Sequence, residues 1–148
     1  MGEGVMSQQV DPTVLVAQMQ AIREQANRVQ AFIAQLTSMR DNVAKSREAL
    51  EALKKGVGSF IAYLDPGLNA AINVTDNSGG RVLVNIGFNI YAKVEIDKAI
   101  EILSERERIL SRNIGEANRQ LNELVKLHSQ YQALLQSIVE QQRRESSK

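Results

Sequence analysis

The 148-residue chain has no cysteine, no tryptophan and only two prolines. Without cysteine it can form no disulfide, thiolate metal site or cysteine nucleophile. Aromatic residues make up 4% of the sequence, so we do not expect a globular core built on large rings. The prolines are Pro12 and Pro66, which leaves long stretches in which a helix is permitted.

The chain also lacks a charge excess and a long apolar run. Its 18 basic and 17 acidic residues leave a net charge of +1, without the basic field typical of nucleic-acid binding. No segment approaches the roughly 18 apolar residues of a membrane span, and the N-terminus does not resemble a secretory signal. We therefore expect one soluble, cytoplasmic domain over residues 1–148, with no nucleic-acid or membrane partner.

What the sequence does contain is apolar residues at every seventh position of two long segments. The first series is Leu15, Ile22, Val29, Leu36, Val43 and Leu50. Its companion series is Met19, Ala26 and Ile33, shifting by one residue to Met39, Ser46 and Leu53. Such a narrow stripe must pack on another helix. With Asp11 as N-cap, Pro12 at the first position and Gly56 after the end, the pattern predicts a helix over 11–55.

The second segment repeats the pattern. Its two series are Ile96, Leu103, Leu110, Ala117, Leu124, Tyr131 and Ile138, and Ile100, Glu107, Ile114, Leu121, His128 and Leu135. We expect Glu107 to pair with Arg106 or with a cation across the helix pair, and His128 to reach solvent in part. The pattern predicts a helix over 96–142 capped by Asp97, with flexible ends over 1–10 and 143–148. Two such arms fold most simply into a long antiparallel coiled-coil hairpin.

Between 56 and 95 the apolar period changes from 3.5 to 2, which is typical of strands. Turn signals at 65–67, 76–80 and 87–89 separate four short apolar runs, predicting two β-hairpins at the helix–helix junction of a mostly α fold. Two hairpins bury too little to be stable alone, and they expose unpaired edges. We therefore expect them to pool with hairpins of other subunits in a shared sheet or barrel. The expected joining residues are Leu68, Ala70, Ile72, Val74, Val82, Val84, Ile86 and Ile90.

The order helix, two hairpins, helix resembles the α-class subunits of prefoldin. The specific part is "RVLVNIGFNIYAKVEIDKAIEIL", where Val82-Leu83-Val84 leads into Ile86-Gly87, Tyr91 and Ala99. The resemblance implies an ATP-independent chaperone without cofactor, in a hexamer of two α-class and four β-class prefoldin subunits. It also implies a double β-barrel platform of pooled hairpins, and coiled coils that hold unfolded client proteins for a group II chaperonin.

In a coiled-coil hairpin the chain termini meet at the tip, where apolar residues exceed what a narrow seam can use. Val14 and Leu15 are adjacent, and so are Ile138 and Val139, so some of these side chains should be exposed. The predicted client-binding residues are Val10, Val14, Leu15, Met19, Tyr131, Leu134, Leu135, Ile138 and Val139. The alternative is that they pack into a wider or three-helix tip.

Other functions have weaker support. No residue pattern offers a catalytic or metal-binding group, so we expect neither an enzyme nor a metal site. A coiled-coil adaptor that tethers fixed protein partners is the main alternative, although a tether does not need a shared barrel. Binding of an amphipathic arm to a membrane surface is disfavoured, because the stripes are narrow and the polar faces mix both charges.

Overall fold

The computed structural model describes residues 10–56, 58–75 and 80–147, which form two long helices and two antiparallel strand pairs. The elements in chain order are α1 (Pro12–Lys54), β1 (Ser59–Tyr63), β2 (Ala71–Thr75), β3 (Arg81–Gly87), β4 (Ile90–Glu95) and α2 (Ile96–Ser146). The mostly α-helical fold with two β-hairpins between the helices is confirmed. The part of the turn predicted at 76–79 and the predicted flexible residues 1–9 and 148 lie outside the described residues.

The ends of the helices follow local chemistry. Asp11 is the N-cap of α1, since its Oδ1 accepts a hydrogen bond of 2.9 Å from the Thr13 amide. Gly56 follows α1 with a φ of 92°, a conformation that favours glycine. Asp97 does not cap α2 as expected. It lies in the first turn, because α2 begins directly after β4, and its carboxylate is 2.6 Å from Lys54 Nζ.

The chain divides into two compact units. We call Met1–Leu36 with Asn113–Lys148 the terminal unit, and Thr37–Arg112 the central unit. Neither helix, within the described residues, has a stretch long and apolar enough to cross a membrane.

In the terminal unit the start of α1 lies beside the end of α2. Val10 and Ile138 line one cleft, and Gln25 and Leu124 line another, so the two helices run antiparallel. The side chains buried between them are Leu15, Ile22, Leu36, Ile114 and Ala117. All of them belong to the predicted heptad series, so that part of the prediction is confirmed.

In the central unit the second hairpin packs on both helices. Val84 from β3 is buried with Ala99 and Leu103 from α2. The partly buried residues around this cluster are Val43, Leu50, Val82, Val94 and Ile102. The pairing runs from Arg81 opposite Glu95 to Gly87 opposite Ile90, with an irregularity after Asn85. The core of the central unit therefore lies between α1, α2 and one face of the β3–β4 hairpin.

The seam of α1 differs from the prediction after Ile33. Met39 and Ser46 are exposed, whereas Arg40 and Arg47 are half-buried. The heptad therefore continues without the expected shift as far as Arg47, whereas Leu53 is half-buried as predicted and Lys54 is exposed. The reason is that arginine can bury its aliphatic stem in a seam while its guanidinium finds a charged partner.

Candidate functional site

Two surfaces expose apolar side chains, and the first lies in the terminal unit. Five residues form what we call the terminal patch: Val10, Val14, Val16, Leu134 and Val139, each 36–51% exposed. Leu15 lies between Val14 and Val16 and is only 2% exposed. The seam thus accepts one member of each adjacent apolar pair and leaves the other in solvent, because neighbouring residues point to different sides of a helix.

The structure divides the nine predicted client-binding residues into three groups. Val10, Val14, Leu134 and Val139 are exposed; Met19, Tyr131, Leu135 and Ile138 are half-buried; and Leu15 is fully buried. Leu15 is therefore part of the seam and is not available to a client. Val16 was not predicted, although the run Val14-Leu15-Val16 contains the signal, since at most one of three consecutive residues can face a narrow seam.

The second exposed apolar surface is formed by the hairpins of the central unit. We call it the hairpin surface, and its most exposed large side chains are Ile61, Tyr63, Leu64, Leu68, Leu83, Phe88 and Tyr91. Each hairpin is a separate two-stranded sheet, so each has strand edges without a partner in the described part of the chain. Large exposed apolar patches and open edges mark interaction surfaces.

The predicted joining residues are also divided by the structure. Leu68, Ala70, Ile72, Ile86 and Ile90 are exposed, Val74 and Val82 are half-buried, and Val84 is buried. Val82 and Val84 face the chain's own helices, so they are not available to another subunit. Leu83 points to the opposite face and is 69% exposed, as the two-residue period of a strand requires. Leu83 is the one large apolar side chain on that face of β3, which also carries Arg81 and Asn85.

Two positions hold an exposed apolar side chain on unfavourable backbone. Leu68 has a φ of 60° and Phe88 a φ of 51°, in the left-handed region that side chains other than glycine rarely adopt. Phe88 is 99% exposed, so nothing in the described chain covers it. Strain of this kind at an exposed site is a reason to look for a function there.

The loop that carries Leu68 is held by hydrogen bonds to Asp65. The Asp65 carboxylate accepts hydrogen bonds from the Gly67 amide and from the backbone and side-chain nitrogens of Asn69, at 2.8–2.9 Å. These bonds, that of the Asn69 side chain first, hold the pKa of Asp65 below its ordinary value. A Cβ at position 67 would come within 2.8 Å of Asp65 Oδ2 and Asn69 Nδ2, so a larger residue there would displace these side chains from their hydrogen bonds.

One ion-pair network lies in the helix seam of the central unit. Arg47 on α1 donates to both carboxylate oxygens of Glu107 on α2, and to Glu51 at 3.1 Å. The hydrogen bond to Glu107 is the main cause that raises the pKa of Arg47. Glu107 thus pairs with a cation across the helix pair, the second of the two expected partners. No group of three or more metal-binding side chains stands together in the described residues.

Comparison with known proteins identifies the family. The model of the family described as "Prefoldin subunit" matches residues 22–141. The chain belongs to the prefoldin family. It is similar to prefoldin subunit alpha of Aeropyrum pernix, with 34% identity over 134 residues, covering 90% of this chain and 89% of the relative. Prefoldin subunit alpha of Metallosphaera sedula is 31% identical over 135 residues, covering 86% of this chain and 94% of that relative.

A solved structure is also similar to this prefoldin chain. It is the cryo-EM structure of filamentous PFD from Methanocaldococcus jannaschii, with 21% identity, a TM-score of 0.49, and coverage of 82% of this chain and 94% of that one. The predicted resemblance to α-class prefoldin subunits is confirmed by the sequence relatives. Membership of this family supports a chaperone subunit.

Proposed function

We propose that this chain is an ATP-independent chaperone subunit that holds unfolded polypeptides on the terminal patch and passes them to a group II chaperonin. Its hairpin surface would join β-class prefoldin subunits in a cytoplasmic hexamer of two α-class and four β-class chains. The observation that carries the proposal is the terminal patch: apolar side chains left in solvent beside a seam that is already filled by Leu15 and its heptad partners.

The terminal patch suits weak and unspecific binding. Fully burying a valine or leucine side chain contributes about 1.5–3 kcal/mol, so each half-exposed member of the patch retains about 1 kcal/mol for a client that covers it. A client that touches only one arm is therefore bound weakly. Several arms that hold the same client raise the effective concentration and hence the avidity. Release then needs only the stepwise loss of weak contacts.

The hairpin surface supports the joining part of the proposal. None of the residues of β1 and β2 is buried, and a two-stranded sheet is marginal in water. A hairpin with Ile61 and Tyr63 exposed gains stability when another subunit covers it. The names of the two sequence relatives, prefoldin subunit alpha, favour the same type of assembly for this chain.

Aggregation of an unfolded client, followed by light scattering, tests the proposal. We would compare the complex containing the parent chain with one in which Val14, Val16, Leu134 and Val139 are all changed to serine. We expect several-fold weaker suppression of aggregation for several unrelated clients, because the patch loses its apolar surface. Native mass spectrometry should show an unchanged hexamer.

The matched control changes Phe32 and Val125 to serine. Both belong to the terminal unit and are 51–53% exposed, but neither belongs to the terminal patch. This control should hold clients like the parent. A fourfold variant that suppresses aggregation as well as the parent would refute the client-binding assignment. A parent complex that suppresses no aggregation and binds one fixed protein would favour the adaptor alternative.

A further inference from the structure

A groove in the central unit lies between α1, α2 and the turn that joins β3 to β4. Its larger part is a cavity of about 710 Å³, a size typical of sites that bind small molecules. A second cavity of about 460 Å³ adjoins it, and both are lined by Asn42, Val43, Asn85 and Arg106. We call the two cavities together the β3 groove. The apolar side chains that line its larger part are Met39, Val43, Phe88, Ile102, Ile109 and Leu110.

The wall that both cavities share carries hydrogen-bond donors without a partner. Arg106 is half-buried, and its guanidinium forms no ion pair or hydrogen bond with any described residue. Asn85 Oδ1 accepts a hydrogen bond of 2.8 Å from the Gly87 amide, which leaves the side-chain N–H groups of Asn85 to donate. A guanidinium and an amide N–H in one lining suit a carboxylate, because arginine binds carboxylates through short charge-assisted hydrogen bonds.

The carboxylate that lines the groove among the described residues is already neutralised. Glu105 lies 2.5 Å from Arg108, which is outside the groove lining. The hydrogen bond from Arg108 lowers the pKa of Glu105, so Glu105 stays ionised and engaged. Glu107, next to Arg106 in sequence, is paired with Arg47. A half-buried guanidinium that lacks a carboxylate is poorly compensated, so a ligand of the groove should bring one.

Phe88 lies at the rim of the groove on a backbone that suits other residues. The two-residue loop Phe88-Asn89 has φ values of 51° and 59°, both positive as in the type I′ turns of β-hairpins. Asparagine and glycine favour such positions, whereas phenylalanine does not. Phe88 is nevertheless 99% exposed, so no packing within the described chain explains it. Strained and exposed, this side chain is available to a ligand in the groove.

We propose that the β3 groove binds an amphiphile of the fatty-acid class, with its carboxylate at Arg106 and Asn85 and its alkyl chain against Met39, Ile109 and Phe88. These three apolar side chains are exposed, so an alkyl chain that covers them leaves water together with them. Such a ligand contacts both helices and the β3–β4 turn, and it therefore stabilises the central unit by mass action. The site belongs to a different unit from the terminal patch and does not depend on client binding.

Titration of a fluorescent dansyl-labelled undecanoic acid into the complex that contains the full-length chain tests the proposal. Arg106→Gln should weaken binding of this probe about tenfold or more, because the carboxylate loses a charge-assisted hydrogen bond. Arg106→Lys should lose less, and Arg112→Gln, at an exposed position outside the groove, should lose nothing. Dodecanoate should displace the probe, and dodecanol, which lacks the carboxylate, should displace it several-fold less well. Unchanged binding in Arg106→Gln would overturn the proposal.

Phe88→Asn separates ligand binding from stability. The substitution should weaken binding of the probe several-fold, because the alkyl chain loses a contact. It should also raise the melting temperature of the ligand-free chain, because asparagine favours a turn position with positive φ. Weaker binding together with a lower melting temperature would show that Phe88 supports the fold instead, and it would overturn the proposed contact.

Two comparisons distinguish the groove from other apolar surfaces. The variant with Val14, Val16, Leu134 and Val139 changed to serine should bind the probe like the parent, even where it no longer holds clients. An equal loss of probe binding in that variant would show unspecific binding to exposed apolar surface and would overturn the proposal. Binding to the isolated chain that disappears in the assembled complex would also overturn it, because the groove would then be covered by another subunit.

Discussion

Leu15 and Val14 test most directly which apolar residues of the terminal unit are buried in the helix seam and which are exposed in the terminal patch. Leu15 is 2% exposed and Val14 is 51% exposed, although they are neighbours on α1. Leu15→Ala should lower the free energy of unfolding by about 2–3 kcal/mol. This is near the lower end for a buried leucine, because the first turn of a helix can partly collapse into the cavity that the substitution leaves. Val14→Ala should cost almost nothing, since the small loss of contact is offset by the higher helix propensity of alanine.

Hydrogen exchange measured by mass spectrometry gives the local readout. In Leu15→Ala, peptides from the start of α1 and the end of α2 should exchange about 30- to 150-fold faster, because local opening becomes less costly by that free energy. Peptides of the central unit serve as the internal reference. Similar effects of the two substitutions, or no effect of Leu15→Ala, would refute the division into seam and patch.

Two further substitutions test polar groups of the seam. His128→Leu should stabilise the terminal unit by about 1 kcal/mol in urea unfolding, because His128 Nε2 is buried without a hydrogen-bond partner among the described residues. The control Gln130→Leu, at an exposed position, should not stabilise it. A loss of stability in His128→Leu would contradict this prediction. Glu107→Gln should lower the melting temperature by leaving Arg47 poorly paired in the seam, whereas Glu116→Gln, which breaks an exposed pair with Arg119, should leave it unchanged. Equal shifts would contradict this assignment.

Much of the fold follows from periodicity. The heptad series through Leu15 and Leu103 identifies the buried stripes of both helices, because a stripe of that period has to face another helix. The end of α2 was harder to predict. The helix continues to Ser146, since Arg143 and Arg144 in its last turn interact favourably with the helix dipole.

The candidate surfaces were less predictable, because a pattern shows which residues share a face and not what covers that face. The alternation in β3 places Val82 with Val84, but only the structure shows that α2 covers them and leaves Leu83 exposed. The seam at Arg40 and Arg47 was missed for a related reason. Apolar periodicity does not count an arginine whose aliphatic stem packs in the seam while its guanidinium pairs with a carboxylate, Asp41 for Arg40 and Glu107 for Arg47.

The central claim is that the terminal patch holds clients while the hairpin surface joins subunits. The most direct measurement is photo-cross-linking of the assembled complex during capture of an unfolded client, with the reactive side chain placed at Val139 or at Leu83. The account predicts cross-links to the client from position 139 and to another subunit from position 83. Client cross-links from position 83 with none from position 139 would contradict it.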